Sequence, residues 1–142
     1  MAGKKSEKSN FKETNQRLKR EFFCRTEKLP IKALMRSKYL RPLTPFGVEM
    51  MVDCMRRICS ADNFPLTVME IPAKDIAPPQ AAQMEVRYML LDGGHRLAAL
   101  EKLWREAHAD EKTHYDSVMC LVYKAMPDEL QVAMMESMYF PH

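Results

Sequence analysis

The sequence predicts a small α/β domain, on three observations. From Leu29 onward the elements read strand, helix, strand, strand, helix, strand, helix. A chain of 142 residues fits one domain, and 46% hydrophobic residues suffices for one core. Two adjacent glycines, Gly93 and Gly94, break an apolar run abruptly where a helical pattern starts.

Residues 1–26 form a basic leader, with Lys4, Lys5, Lys8, Lys12, Arg17, Lys19 and Arg20 among serine, asparagine and glutamate. Its first ten residues are almost without apolar side chains and are expected to be disordered. Phe11 to Phe23 has helical spacing with a sparse apolar stripe. Residues 27–142 are assigned to the domain itself.

Leu29 to Leu34 reads as a short strand or strand entry, followed by a loop through Pro42. Thr44-Pro45 starts a helix for a physical reason. A hydroxyl at the N-cap accepts an orphan N–H, and proline at the first helical position has no N–H to leave unpaired. Val48, Met51, Val52, Met55 and Ile58 then recur at helical spacing, giving one apolar face over about 45–59. Phe64 to Ile71 is strand-like, and Pro72 to Met84, with Pro78-Pro79, reads as a long loop. Val86 to Leu91 is the next strand. His95 to about Ala107 is a helix whose apolar face carries Leu97, Leu100, Leu103 and Trp104. Ser117 to Tyr123 is nearly continuously apolar, as for an interior strand. Pro127-Asp128-Glu129 opens a last helix, with acids in its first turn complementing the helix dipole. The thirteen methionines sit mostly on helices and are read as adaptable core filler.

The net charge of +3 permits anionic partners without demanding them. Cys24, Cys54, Cys59 and Cys120 lack CxxC spacing, and the amino terminus has no signal-like apolar stretch. They are expected to be reduced thiols of an intracellular protein, cytoplasmic or nuclear. The apolar runs are strand-length, so no membrane partner is expected. His108 and His114 flank a charged connection and are expected in solvent rather than on a metal.

Asp92-Gly93-Gly94-His95-Arg96 is the segment that carries chemistry. A strand, two glycines and an immediate helix leave several backbone N–H groups without intrahelical acceptors. Glycine allows positive φ and close approach of a ligand to the backbone. The helix dipole adds partial positive charge, and His95 and Arg96 add side-chain donors, the guanidinium fork suiting phosphate oxygens. Asp92 is placed to cap the helix or to hold a metal ion or hydroxyl beside the phosphates.

Leu90 to Leu100 resembles the Asp-Gly-x-His-Arg-x-x-Ala signature of the ParB/sulfiredoxin-like superfamily. Lys28 to Leu34 is similar to the family's first strand and Pro65 to Ile71 to its Pro-Ile-x-Val strand. Val118 to Tyr123, with Met126 to Ser137, is similar to its Ile-Pro-Val-x-Val strand and following helix. The resemblance covers about Glu27 to Ser137. It implies a compact α/β (α+β) ParB/sulfiredoxin-like domain, a small mixed sheet packed with about three to four helices. In that family the turn holds nucleotide phosphates, here CTP or ATP with Mg2+ on Gly93, Gly94, His95 and Arg96. Arg41, in Tyr39-Leu40-Arg41-Pro42, matches the arginine of the family's first loop.

Three departures narrow what the resemblance implies. Sulfiredoxin-type reductases have a cysteine where Gly94 stands, so their thiol chemistry is not expected. Partition-type ParB proteins have a further arginine where this chain has Ala98. Their Glu-Asn-x-x-Arg motif is echoed only by Glu136-Ser137-Met138-Tyr139-Phe140, so a complete CTP-gated switch on DNA is not expected either.

The leading expectation is a nucleotide-binding ParB-like domain, acting as a ligand-gated module, phosphotransferase or NTPase. Enzymatic turnover would need a carboxylate to orient or deprotonate the acceptor, for which Asp92 is nearest and Glu27 and Glu70 are others. An alternative is a nucleic-acid-binding or nuclease domain, with DNA or RNA contacted through the basic leader. A second is a non-catalytic protein-interaction domain using the methionine-rich last helix and Phe140-Pro141-His142.

Overall fold

The protein is represented by a computed structural model that describes residues 16–17, 20–58, 65–72 and 86–139. Five strands, β1 (Phe23–Pro30), β2 (Leu34–Arg36), β3 (Leu66–Pro72), β4 (Val86–Asp92) and β5 (Ser117–Tyr123), form one mixed sheet ordered β1-β5-β3-β4-β2. β1 is antiparallel to β5 and β3 is antiparallel to β4, whereas β3 with β5 and β2 with β4 are parallel. Among the described residues three complete helices accompany it: α1 (Pro45–Ile58), α2 (Gly94–Glu106) and α3 (Asp128–Tyr139).

Successive strand residues point to opposite faces, and both faces here are covered. On one face Val68, Leu90, Val118 and Val122 pack with Val52 and Met55 of α1 and Leu97, Leu100 and Leu103 of α2. On the other, Met69, Leu91 and Tyr123 pack with Met126, Met134 and Met135, the last two from α3. Double coverage explains why β4 and β5 read as continuous apolar runs. The Met126 N–H donates to Met69 Sδ at 3.0 Å, so these thioethers fill and tie the second layer. Each fully buried aliphatic side chain contributes about 1.5–3 kcal/mol through burial.

The expected strand from Leu29 to Leu34 is two strands with a joint. Pro30 ends β1, a 3-10 turn occupies Ile31–Ala33, and Leu34 begins β2 at the opposite sheet edge. Proline cannot donate to the ladder, and the Ile31 N–H instead reaches the Asp116 carbonyl at 3.0 Å. Of the helix expected over Phe11–Phe23, positions 16–17 and 20–22 are helical and Phe23 already belongs to β1. The expected disorder of residues 1–10, the loop from Pro72 to Met84 and Cys59 fall outside the described residues, apart from Pro72, which ends β3.

Trp104 departs from its expected core position. Leu97, Leu100 and Leu103 are buried, but Trp104 is 40% exposed. Trp104 stands in the last turn of α2, which overhangs a cleft that the indole lines. His108 and His114 are exposed, and no group of three metal-ligating side chains occurs among the described residues. Among those residues no helix is long and apolar enough to cross a membrane.

Candidate functional site

β4 ends at Asp92, which stands opposite Thr67 of β3. Gly93 follows at φ 105° and ψ 31°, the left-handed region, and is the N-cap of α2. A Cβ there would lie 2.4 Å from Leu66 Cδ2, so both the backbone and the packing require glycine. The first helical hydrogen bond runs from the Leu97 N–H to the Gly93 carbonyl at 2.9 Å. The N–H groups of Gly94, His95 and Arg96 precede it, and no side chain caps the helix. Of the two roles open to Asp92, capping the helix is therefore not the one it takes.

Asp92 is engaged elsewhere. Its Oδ2 accepts from Arg96 Nη2 at 3.1 Å, one helical turn on, while Arg96 Nη1 donates to the Pro65 carbonyl. The guanidinium thus fastens the turn to the entry of β3. Three of its five N–H groups remain for other acceptors.

His95 looks across to the start of α1. Its Nε2 accepts the Thr44 backbone N–H at 3.0 Å and lies 3.3 Å from the Thr44 hydroxyl. As an acceptor at Nε2, the imidazole carries its proton on Nδ1. Thr44 Oγ1 also accepts the Gly47 N–H at 3.1 Å, the N-cap bond anticipated from Thr44-Pro45. Gly47 gives the imidazole room: a Cβ there would approach His95 Cδ2 to 2.6 Å. The amino-terminal ends of α1 and α2, each carrying partial positive charge, are in this way held one hydrogen bond apart.

Beside that junction lies a cavity of about 220 Å³. Arg41 and Met51 line one side, and Asp92, Gly93, Gly94, His95 and Arg96 line the other. The five residues of the turn and Arg41 meet there. Arg41 arrives through a loop pinned by buried Ser37, which accepts the Leu40 N–H at its carbonyl (3.2 Å) and the Tyr39 N–H at its hydroxyl (3.1 Å).

Glu27 and Glu70 do not join this cavity. Glu70 pairs with Tyr88, four positions back along β4 from Asp92, or about 13 Å at strand rise. Both carboxylates belong instead to a cluster around Arg25. That guanidinium contacts Glu27 at 2.5 Å, Glu70 at 3.4 Å and the Tyr88 hydroxyl at 3.2 Å. Hydrogen bonding to Glu27 raises the Arg25 pKa, and burial raises that of Tyr88. Cys24 lies against Glu70 at 3.6 Å, and burial followed by the Glu70 charge pushes its thiol up. Burial pushes Cys120 up to about 12. Neither thiol is poised as a nucleophile.

Sequence reasoning missed the Thr44–His95 junction and the Arg25 cluster. The available clue to the first was Gly47, a residue that weakens the first turn of a helix unless something must come close.

No family model matches the chain. No curated protein matches it either. Among solved structures, its fold is similar to the C-terminally truncated chromosome-partitioning protein ParB from Caulobacter crescentus, complexed with CTP-gamma-S. The TM-score is 0.53 at 16% identity, over 84% of this chain and 56% of the ParB chain. The chain is thus a mixed α/β domain of ParB-like fold, spanning just over half the length of that neighbour.

Proposed function

We propose that this domain binds a nucleoside triphosphate, CTP or ATP, with its phosphates on the Gly93–Arg96 turn. The observation that carries the reading is the cavity in which the start of α2, Gly93 to Arg96, meets Arg41. The ParB neighbour of similar fold holds CTP-gamma-S, which supports a nucleotide as the ligand class. A cavity of about 220 Å³ is smaller than sites that enclose whole ligands. It suits phosphates, with sugar and base extending past Leu43, whose side chain reaches the Gly94 position.

Backbone N–H groups of Gly94, His95 and Arg96 supply donors, and Arg41 supplies charge from the facing loop. Among the described residues that line the cavity, Asp92 is the one acid. Mg2+ would therefore take most of its ligands from phosphate oxygens and water. If turnover occurs, Asp92, held by Arg96, is the carboxylate that orients or deprotonates the acceptor hydroxyl.

The test is thermal unfolding with CTP or ATP and Mg2+, for wild type, Arg41→Ala and Gly94→Asp. A nucleotide at about one hundred times its dissociation constant adds about 2.7 kcal/mol to stability. Both variants should unfold normally without nucleotide and lose the stabilisation. Absence of any shift in the wild type overturns the proposal.

A further inference from the structure

The overhanging end of α2 covers a second concavity, of about 880 Å³, between that helix, the end of β1 with its 3-10 turn, and the start of β5. Its volume is that of a small-molecule site, unlike the cavity at the turn. Trp104, the one tryptophan in the chain, lines it while 40% exposed. Lys112 places its ammonium 4.1 Å from the centroid of the indole and donates to the Trp104 carbonyl. An indole fixed in this way presents a surface for stacking.

The charge of the rim selects the ligand. Lys28, Lys32 and Arg105 line the cleft, and Lys112 adjoins it. The two acids among the described lining residues are engaged: Glu101 accepts from Arg36 at 2.5 Å, and Asp116 accepts the Ser117 hydroxyl at 3.0 Å. The balance is positive around an aromatic floor, the pairing that recognises a base with its phosphate.

We propose that this cleft binds a nucleotide unit, its base stacked on Trp104 and its phosphate held by Lys32 and Arg105. The site is separate from the turn: Gly94 and Arg105 stand at opposite ends of α2, about 16 Å apart along its axis. A free mononucleotide and one unit of a single strand share this chemistry. The proposal does not depend on nucleotide binding at the turn.

Trp104 itself is the reporter. The full chain is titrated with AMP and with an oligodeoxyadenylate of about ten nucleotides, following tryptophan emission. Saturable quenching is expected, unchanged in Arg41→Ala and weakened at least tenfold in Lys32→Ala/Arg105→Ala, whose melting temperature should match wild type. Tenfold tighter binding of the oligonucleotide identifies a strand as the source, and equal or tighter binding of AMP identifies the free nucleotide. A Trp104→Phe variant, read by anisotropy of labelled oligonucleotide or AMP, should also bind more weakly. Emission indifferent to both probes, or quenching untouched by the double substitution, overturns the proposal.

Discussion

His95 Nε2 accepts the backbone N–H of Thr44 across 51 residues of sequence, and this single bond joins the first turns of two helices. Thr44 uses its hydroxyl on Gly47 and its N–H on His95, so one residue organises both helix starts. The geometry leaves no space for a side chain at position 47.

Gly47→Ala should therefore destabilise the protein by about 1–3 kcal/mol, as overpacking does. Alanine is the better helix former, so the loss would run against intrinsic propensity. Combining it with His95→Ala should recover much of the loss, giving a coupling energy above about 0.5 kcal/mol in a double-mutant cycle by urea denaturation. Additive effects would mean that the imidazole is not what crowds position 47.

Gly93 and Gly94 should respond differently to alanine. At Gly93 a side chain meets positive φ, costing about 1–2 kcal/mol, and also strikes Leu66. At Gly94 the nearest contact is the tip of Leu43 at 3.3 Å, and the position is helical. Gly94→Ala should stay within about 1 kcal/mol of wild type, whereas Gly93→Ala should lose several times that in chemical denaturation.

Asp92→Asn separates binding from chemistry. Removing a carboxylate from a phosphate site should tighten nucleotide binding severalfold, measured by calorimetry. Any hydrolysis or transfer should fall by about 10²-fold or more, the range for losing general-base help. Turnover unaffected by this change would remove Asp92 from a catalytic role.

Cys120 should give stability an alkaline edge. Its thiol titrates at about 12 in the folded chain against 9.0 for the free group. Above pH 9 the unfolded chain binds fewer protons than the folded one, so stability falls as pH rises towards 12. Cys120→Ala should be less stable at neutral pH, because it leaves a cavity, yet flatter between pH 9 and 11. In the native protein Cys120 should resist maleimide at pH 8, read by peptide mapping.

Much of the fold was legible because local rules decided it. Ser117–Tyr123 forms β5 over the span expected from its apolar run, and α1 begins at Pro45 as Thr44-Pro45 requires. The strand and helix of the turn followed from the apolar run before Gly93-Gly94 and the helical spacing after it, and positive φ from the glycines. β1 was obscured because it is an edge strand, and Arg25, Glu27 and Lys28 interrupt any apolar pattern. Trp104 shows the limit of a helical wheel, which gives an angle but not whether a cleft lies beside it. The partner of His95 was hidden for another reason: sequence spacing holds no information about a contact made by docking two helices.

The pairing of β1 with β5 governs the order in which this chain can assemble. Phe23 finds Tyr123 and Pro30 finds Ser117, so the first of the described strands to leave a ribosome waits for the last of them. At about 5–20 residues per second that wait lasts several seconds. β3 also lacks its parallel neighbour until the same moment. Such remote closure slows folding and makes it all-or-none. The charges along β1 then have a second use, keeping a strand without its partner from joining another chain in the interval.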